Sequence, residues 1–367
     1  MYDRDLYSRS IELIRANQSP GGAYLASPTF EQYRYCWFRD GTYIAYAMDL
    51  AGEQASAHRF YDWAASVVVR RAAHVERAIA AASRGEQPAP HDLLHTRYSP
   101  DGEDGPAEWP NFQLDGFGTL LWGMGEHLKL TGQQMPGEWR MAVDLLARYL
   151  GALWPFPCYD CWEEFGDRTH TSTLAAIYGG LNAASDLLED GTYAHVAPAI
   201  KRFVLDRCVH GGSLCKFVGS TAVDASLLHV ATPYRLLLPD HPLMSGTVER
   251  IERELRREGG GVHRYAEDSY YGGGEWVLLT AYLGWYYLER GEVERARALL
   301  RWVEGAADER HMLPEQVAAH LNYPHMLAVW EGRWGPSACP LLWSHAAYMT
   351  LAYHLNTALI AMSDSDR

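Results

Sequence analysis

Along most of this 367-residue chain, apolar side chains return at intervals of three and four residues, the spacing that gathers them on one face of an α-helix. The pattern predicts helices at 10–17, 39–52, 55–83, 112–132, 137–154, 171–188, 193–208, 223–237, 245–258, 274–291, 293–306 and 340–362. The last reads as a nearly all-apolar helix. Strict apolar–polar alternation is scarce. Stretches 213–218 and 263–273 allow small hairpins, and nothing predicts a sheet. Turns as short as those at 189–193 and 289–294 make successive helices antiparallel neighbours. No Pro/Gly/Ser-rich linker or compositional break divides the chain, so the reading is all-α: one domain over 1–367, built of about six helical hairpins. No strict repeat is visible, which favours a closed toroid or bundle over a solenoid.

The longer connectors, 17–38, 86–112, 154–168, 209–220, 258–273 and 308–339, hold the unusual residues, and long loops in one domain tend to carry function. The chain is 48% hydrophobic and 12% aromatic, with 13 Trp and 23 Tyr. That is enough to fill a core and also line a partly wet pocket. The net charge is −14, and no basic cluster is long enough to follow a phosphate backbone, which argues against nucleic acid. No run reaches the length of a membrane span. The charged, amphipathic N-terminus lacks the apolar core of a signal peptide. Six irregularly spaced cysteines then read as reduced thiols in a cytoplasmic protein.

Residues 157–166, PCYDCWEEFG, mix two chemistries. Cys158 and Cys161 could serve a metal with a second pair, but Cys208 and Cys215 are poorly spaced for it. A redox CxxC needs a strand–helix setting that is missing here. The expectation is therefore no metal and no cofactor. Glu163 and Glu164 follow Trp162, and an acid against an aromatic wall has its pKa raised by desolvation. The bland alternative is a solvated acidic loop. Glu315 follows Leu313-Pro314, where a first-turn Glu after an N1 proline is also favoured by the helix dipole. Arg39 and Asp40 sit in the aromatic run from Tyr33 to Gly41, which includes Trp37, and read either as a local ion pair or as a clamp for hydroxyl groups. Trp109, Gln113 and Asp115 form one further cluster, and Arg264, Glu267, Asp268, Tyr270 and Trp276 another.

The order of these clusters is more specific than any of them alone. Y-x-Y-x-W-x-R-D-G (33–41) is followed by W-x-x-x-Q-x-D-G (109–116), then W-E-E (162–164), R-Y-x-E-D-x-Y-Y-x-G-x-x-W (264–276) and P-E-Q (314–316), each between predicted helices. This resembles glycoside hydrolase family 15, the glucoamylase, glucodextranase and isomaltose glucohydrolase group, from about Ala23 to the last helix. The resemblance implies an (α/α)6 barrel with its active site among the loops at one end. It implies Glu163 as general acid and Glu315 as general base, and places Tyr33, Trp37, Arg39 and Asp40 around the terminal glucosyl unit. It sets Trp109 beside the scissile bond, with Glu164 and Arg264 at or just beyond it, and draws Gln113, Asp115, Trp162, Glu267 and Trp276 into the binding site.

Two such carboxylates imply inversion, with carboxyl groups roughly 6.5–9.5 Å apart to admit a water. The chain leaves no room for the β-sandwich or starch-binding modules of some members, and loops 86–108 and 316–340 depart from the glucoamylase pattern. Both points favour a short α-gluco-oligosaccharide with α-1,6 linkage, ahead of α-1,4 cleavage or trehalose hydrolysis. The non-enzymatic alternative is an inactive sugar-binding protein. A monomer or a homodimer is equally compatible with the sequence.

Overall fold

The computed structural model describes residues 2–106, 108–189, 191–193 and 195–365. The connector expected at 86–112, the turn at 189–193 and the helix at 193–208 therefore each include one residue outside that set: Ala107, Asp190 and Ala194. Thirteen α-helices occur among the described residues: α1 (Arg4–Ala16), α2 (Phe38–Leu50), α3 (Gln54–Arg70), α4 (Ala72–Ser83), α5 (Asp115–Thr131), α6 (Gly137–Leu153), α7 (Thr171–Leu188), α8 (Val196–Arg207), α9 (Pro242–Leu255), α10 (Val277–Glu289), α11 (Val293–Gly305), α12 (His325–Trp334) and α13 (Leu342–Ser365).

Six inner segments close a ring in the order α2, α5, α7, the 3-10 helix Ala225–Val230, α10 and α13, which returns to α2. Outside it, α1 packs on α13, α3 on α2, α6 on α5 and α7, α8 on α7, α9 on the 3-10 helix and α11 on α10. This is an (α/α)6 barrel. The sequence sorts the two rings. Inner helices are enclosed on all sides over much of their length, so α2 is buried from Phe38 to Asp49 and α10 from Val277 to Tyr287. Outer helices bury a single stripe. On α11 the stripe is Ala296, Leu299, Leu300 and Val303. Each of its larger side chains contributes about 1.5–3 kcal/mol by leaving water, and Leu300→Ala would cost about 2–5 kcal/mol. The closest inner contact needs glycine. A Cβ on Gly180 would stand 2.4 Å from the Gly118 carbonyl oxygen, and one on Gly118 2.3 Å from that of Ala176.

Three departures from the periodicity have local causes. The predicted helix 55–83 breaks at Arg71, whose side chain is drawn to Gly102 O (2.8 Å) and Asp104 in the neighbouring loop. The predicted helix 223–237 is only the 3-10 helix Ala225–Val230. Asp224 caps it by accepting from Ser226 N (2.8 Å), and Pro233 brings no N–H to continue it. Residues 325–334, expected within a connector, form α12, which buries none of its side chains.

The strands are two residues long and pair antiparallel: β1 (Cys36–Trp37) with β2 (Arg97–Tyr98), β3 (Val209–His210) with β4 (Ser213–Leu214), and β5 (Glu275–Trp276) with β6 (Gln316–Val317). The expected hairpin at 213–218 is realised only by Ser213–Leu214, with a partner at 209–210, and 263–273 forms none of its own. Two of the pairs lead into inner helices, β1 into α2 and β5 into α10, and so fix the loops at that end of the barrel.

Candidate active site

A cavity of about 320 Å³ opens where the inner helices begin. Its wall takes Tyr33, Trp37, Arg39 and Asp40 from the entry to α2, Trp109 from the loop before α5, and Trp162, Glu163 and Glu164 from the loop before α7. Arg264, Tyr270 and Trp276 come from the approach to α10, and Glu315 and Trp343 from the approach to and first turn of α13. The sequence therefore scatters over about 310 positions side chains that the barrel gathers in one place.

Glu163 stands in a loop wired to itself. The Asp160 carboxylate accepts from the backbone N–H groups of Trp162 and Glu164, both at 2.9 Å, and Glu163 N donates to Asp160 O (2.9 Å). The turn puts Glu163 and Phe165 at φ 66° and 51°, a left-handed conformation that non-glycine residues adopt at a cost. Beneath it, Lys216 Nζ lies 3.1 Å from Asp224 and 3.8 Å from Asp160, and Trp162 Nε1 donates to Asp224 (3.1 Å). Burial pushes Asp160 up to about 7, against the opposing pull of Lys216.

The Glu163 carboxyl accepts from Trp37 Nε1 at 2.6 Å and otherwise faces the cavity. Enclosure raises its pKa, opposed by Arg39, Trp109, Trp37 and Gln113. Trp109 Nε1 and Gln113 Nε2 reach no hydrogen-bond partner, so their influence is that of nearby dipoles. Glu164 turns the other way, accepting from Arg264 (3.4 Å) and from the Tyr265 hydroxyl. Arg264 is itself held by Asp268, with Nε donating at 2.7 Å.

Glu315 reaches the same cavity from a different loop. Its N–H donates to Ala338 O (2.8 Å), and the next residues pair as β6 with β5. Its carboxylate accepts from the Tyr33 hydroxyl at 2.9 Å and from Ser337 Oγ at 3.3 Å. Burial pushes it up to about 7, while Tyr33, Arg264 and Ser337 favour its charged form. The first-turn helical alternative for Glu315 is not what forms, since no helix begins there. Tyr33 also touches the Trp37 ring edge-on, with centroids 5.7 Å apart. A Tyr33–Trp37 step thus connects the two glutamates.

Arg39 is clamped among Asp115 (3.1 Å), Gln113 (3.1 Å) and Asp40 (3.4 Å), and lies over the Trp343 ring at 5.2 Å. Burial raises Asp40 to about 6 against the pull of Arg39. Gln113 and Asp115 lie behind Arg39 and not in the wall, and Glu267 is exposed away from it. Among the described residues, Trp109 Nε1 and Trp276 Nε1 have no hydrogen-bond partner, and Asp40 Oδ2 has only its 3.4 Å ion pair with Arg39. Such groups on a cavity wall await a polar ligand.

Sequence reasoning missed Trp330, Arg333 and Trp334, which α12 adds to the wall. Their helix lacks the apolar stripe that would have announced it. The same reasoning passed over Trp343 as part of a buried helix. Cys161 lines the cavity, Cys158 is buried nearby, and neither is in a disulfide. Among the described residues no group of three or more His, Cys, Asp or Glu is arranged to hold a metal.

Two enclosed carboxyl groups, indole faces and unpaired polar atoms around a small cavity, on an (α/α)6 barrel, define a glycosidase. The chain belongs to glycosyl hydrolases family 15, whose model matches residues 2–353. It is 41% identical to the isomaltose glucohydrolase of Kribbella flavida, over 98% of this chain and 95% of that protein. A glycosidase variant solved in complex with glucose superposes with a TM-score of 0.92 at 41% identity, covering 96% of both chains. A bacterial glucoamylase complexed with acarbose shares the fold, with a TM-score of 0.77 at 20% identity over 97% of this chain and 56% of that one.

Proposed function

We propose that this glycoside hydrolase is an exo-acting, inverting α-glucosidase that releases β-glucose from the non-reducing ends of short α-gluco-oligosaccharides, with isomaltose-type α-1,6 linkages preferred. The observation that carries the reading is the placement of Glu163 and Glu315 on one cavity, one held by indole N–H and the other by hydroxyls. The likeness to an isomaltose glucohydrolase supports the linkage. The cavity is at the small end of the range for ligand sites, which suits a chain end better than a chain interior.

In this reading the protonated Glu163 donates to the glycosidic oxygen as the bond breaks. Glu315, ionised, removes a proton from a water that attacks the opposite face of the ring. Arg39 and Asp40 hold hydroxyls of the departing glucosyl unit, and the Asp40 carboxylate offsets the positive charge that develops on it. The inner helices present their positive ends to the cavity, so carboxylates at that end have a second use in restoring a potential that tolerates an oxocarbenium ion. Glu164 and Arg264 contact the sugar at or beyond the cleavage point.

Proton NMR in the first minutes of hydrolysis tests the stereochemistry: β-glucose is expected before mutarotation, and initial α-glucose excludes inversion. A panel of isomaltose, maltose and trehalose tests the linkage. The highest kcat/KM is expected for isomaltose, and a preference for either of the others displaces that assignment.

A further inference from the structure

Arg97 has the surroundings of a functional cation and no role so far. It is 2% exposed, yet among the described residues no carboxylate lies within ion-pair distance of it. Nη1 donates to Gln32 O (2.6 Å), and Nε has no partner. Its guanidinium is instead packed among rings, 3.7 Å from the Trp109 centroid, 4.3 Å from Tyr35 and 5.4 Å from Trp37. β2 pairs Arg97 directly opposite Trp37. The space is kept open by Gly105, where a Cβ would stand 2.9 Å from Arg97 Cγ. A buried, unpaired cation is costly, and stacking on indoles returns only part of that cost. The two rings it touches in the wall are the two that flank Glu163.

We propose that Arg97 is a positioning residue for the proton-donating side of the site. Its guanidinium fixes the Trp37 and Trp109 indoles against Glu163 and supplies positive charge that favours the carboxylate left when Glu163 gives up its proton. The charged and titratable groups facing Glu163 are Arg39 and Asp40 of α2, Tyr33 of the preceding turn and Arg97 of β2. Those facing Arg97 are Glu163, Tyr33, Tyr35 and His95. Arg39 is neutralised by Asp40 and Asp115, whereas among the described residues Arg97 has no ion-pair partner and Glu163 is the carboxyl group its charge acts on. The proposal rests on the reading of Glu163 as the acid.

Arg97→Met keeps an apolar side chain under the indoles and removes the charge. The descending limb of kcat/KM for isomaltose should then move to higher pH by about one unit, and its maximum should fall roughly tenfold, as a weaker acid meets the leaving oxygen. An α-glucosyl fluoride, whose leaving group needs little protonation, should be hydrolysed within about threefold of the wild-type rate. Arg97→Lys keeps the charge and should leave the limb in place. Equal losses on both substrates with an unmoved limb overturn the proposal, and so does a lysine variant whose limb moves as far as that of the methionine variant. If Arg97→Met does not fold, Gly105→Ala decides, because its Cβ crowds the guanidinium off Trp109. The same isomaltose-selective loss is expected there, and an unchanged ratio between the two substrates overturns the proposal. Glu163→Gln on the same pair of substrates tests the underlying reading separately: if the fluoride fails to restore its activity, the acid assignment falls whatever Arg97 does.

Discussion

The loops that deliver the two glutamates solve the same task differently. The one carrying Glu163 is an irregular turn, tied by the Asp160 side chain and bent through two left-handed residues over a buried Lys216–Asp224 pair. The one carrying Glu315 runs as strand, paired in register with the entry to α10. Their hydrogen-bond partners differ as well. Glu163 meets an indole N–H, which can only donate, while Glu315 meets the hydroxyls of Tyr33 and Ser337, which can donate or accept. In the proposed roles, the group that loses a proton has a partner that suits the anion it becomes. A group that must gain one is given partners able to turn around and accept the new O–H. The contrast between fixed and reorientable partners is a physical ground, independent of motif, for assigning donor to one and acceptor to the other.

The strongest way to break that contrast is to remove each carboxylate in turn. Glu163→Gln should lower kcat on isomaltose by roughly 10²–10⁴ and recover most of it with a glucosyl fluoride, while Glu315→Gln should lose a similar factor on both. Rescue of the second and not the first would reverse the roles. Asp160→Ala comes next. It strips two loop N–H groups of their acceptor, and a small displacement of the acid should cost roughly ten- to a hundredfold in kcat with KM little changed; a change confined to KM would show that the loop binds and does not position. Tyr33→Phe is milder. The Tyr33 hydrogen bond favours the charged form of Glu315, so losing it should move the ascending limb of the pH profile from near 7 to higher pH, with about a threefold lower maximum. A limb that stays put would detach Tyr33 from the base.

The smallest effect concerns stability. Glu315 binds its proton more tightly folded, at about 7, than at its ordinary value of 4.5. The stabilisation this gives is complete below 4.5 and is lost as pH rises through 7, leaving the wild type with a burden of about 3 kcal/mol in mild alkali. Glu315→Gln should therefore melt a few degrees higher than wild type at alkaline pH and no higher near pH 4. A gain that ignores pH would trace to packing.

How much of this could be read from the chain follows from what each feature depends on. The inner helices announce themselves because burial on all sides leaves an all-apolar record, as in 277–287. Eleven of the expected site residues share the cavity because loops between such helices can only meet at the barrel end. Gln113 and Asp115 fall one layer behind because they serve Arg39, a distinction no spacing encodes. Glu267 shares a motif with Arg264 yet points to solvent. An extended loop would alternate Glu163 and Glu164 by pleat. They do diverge, but through the left-handed turn at Glu163, and nothing in a glutamate codon spells that dihedral. Arg97 and α12 left no trace for a further reason. Each acts through contacts with rings far off in sequence, and neither sits in a periodic pattern.

α12 lends three side chains to the cavity wall while burying none of its own. It is moored by Trp330 Nε1 on Ser269 O (3.0 Å), by the Tyr271 hydroxyl on Gly335 O (2.7 Å) and by the half-buried Leu327 and Trp330, the latter packed on Tyr270 and Tyr271. Selectivity and foldability are thus uncoupled at this spot: substitutions at Arg333 or Trp334 touch the ligand chamber without touching the barrel's cohesion. Trp334→Ala should leave the melting temperature within about a degree of wild type yet change the ratio of kcat/KM between isomaltose and maltose. A lineage exploring new glucosides has here a surface it can rewrite repeatedly, because each trial leaves the inherited scaffold standing.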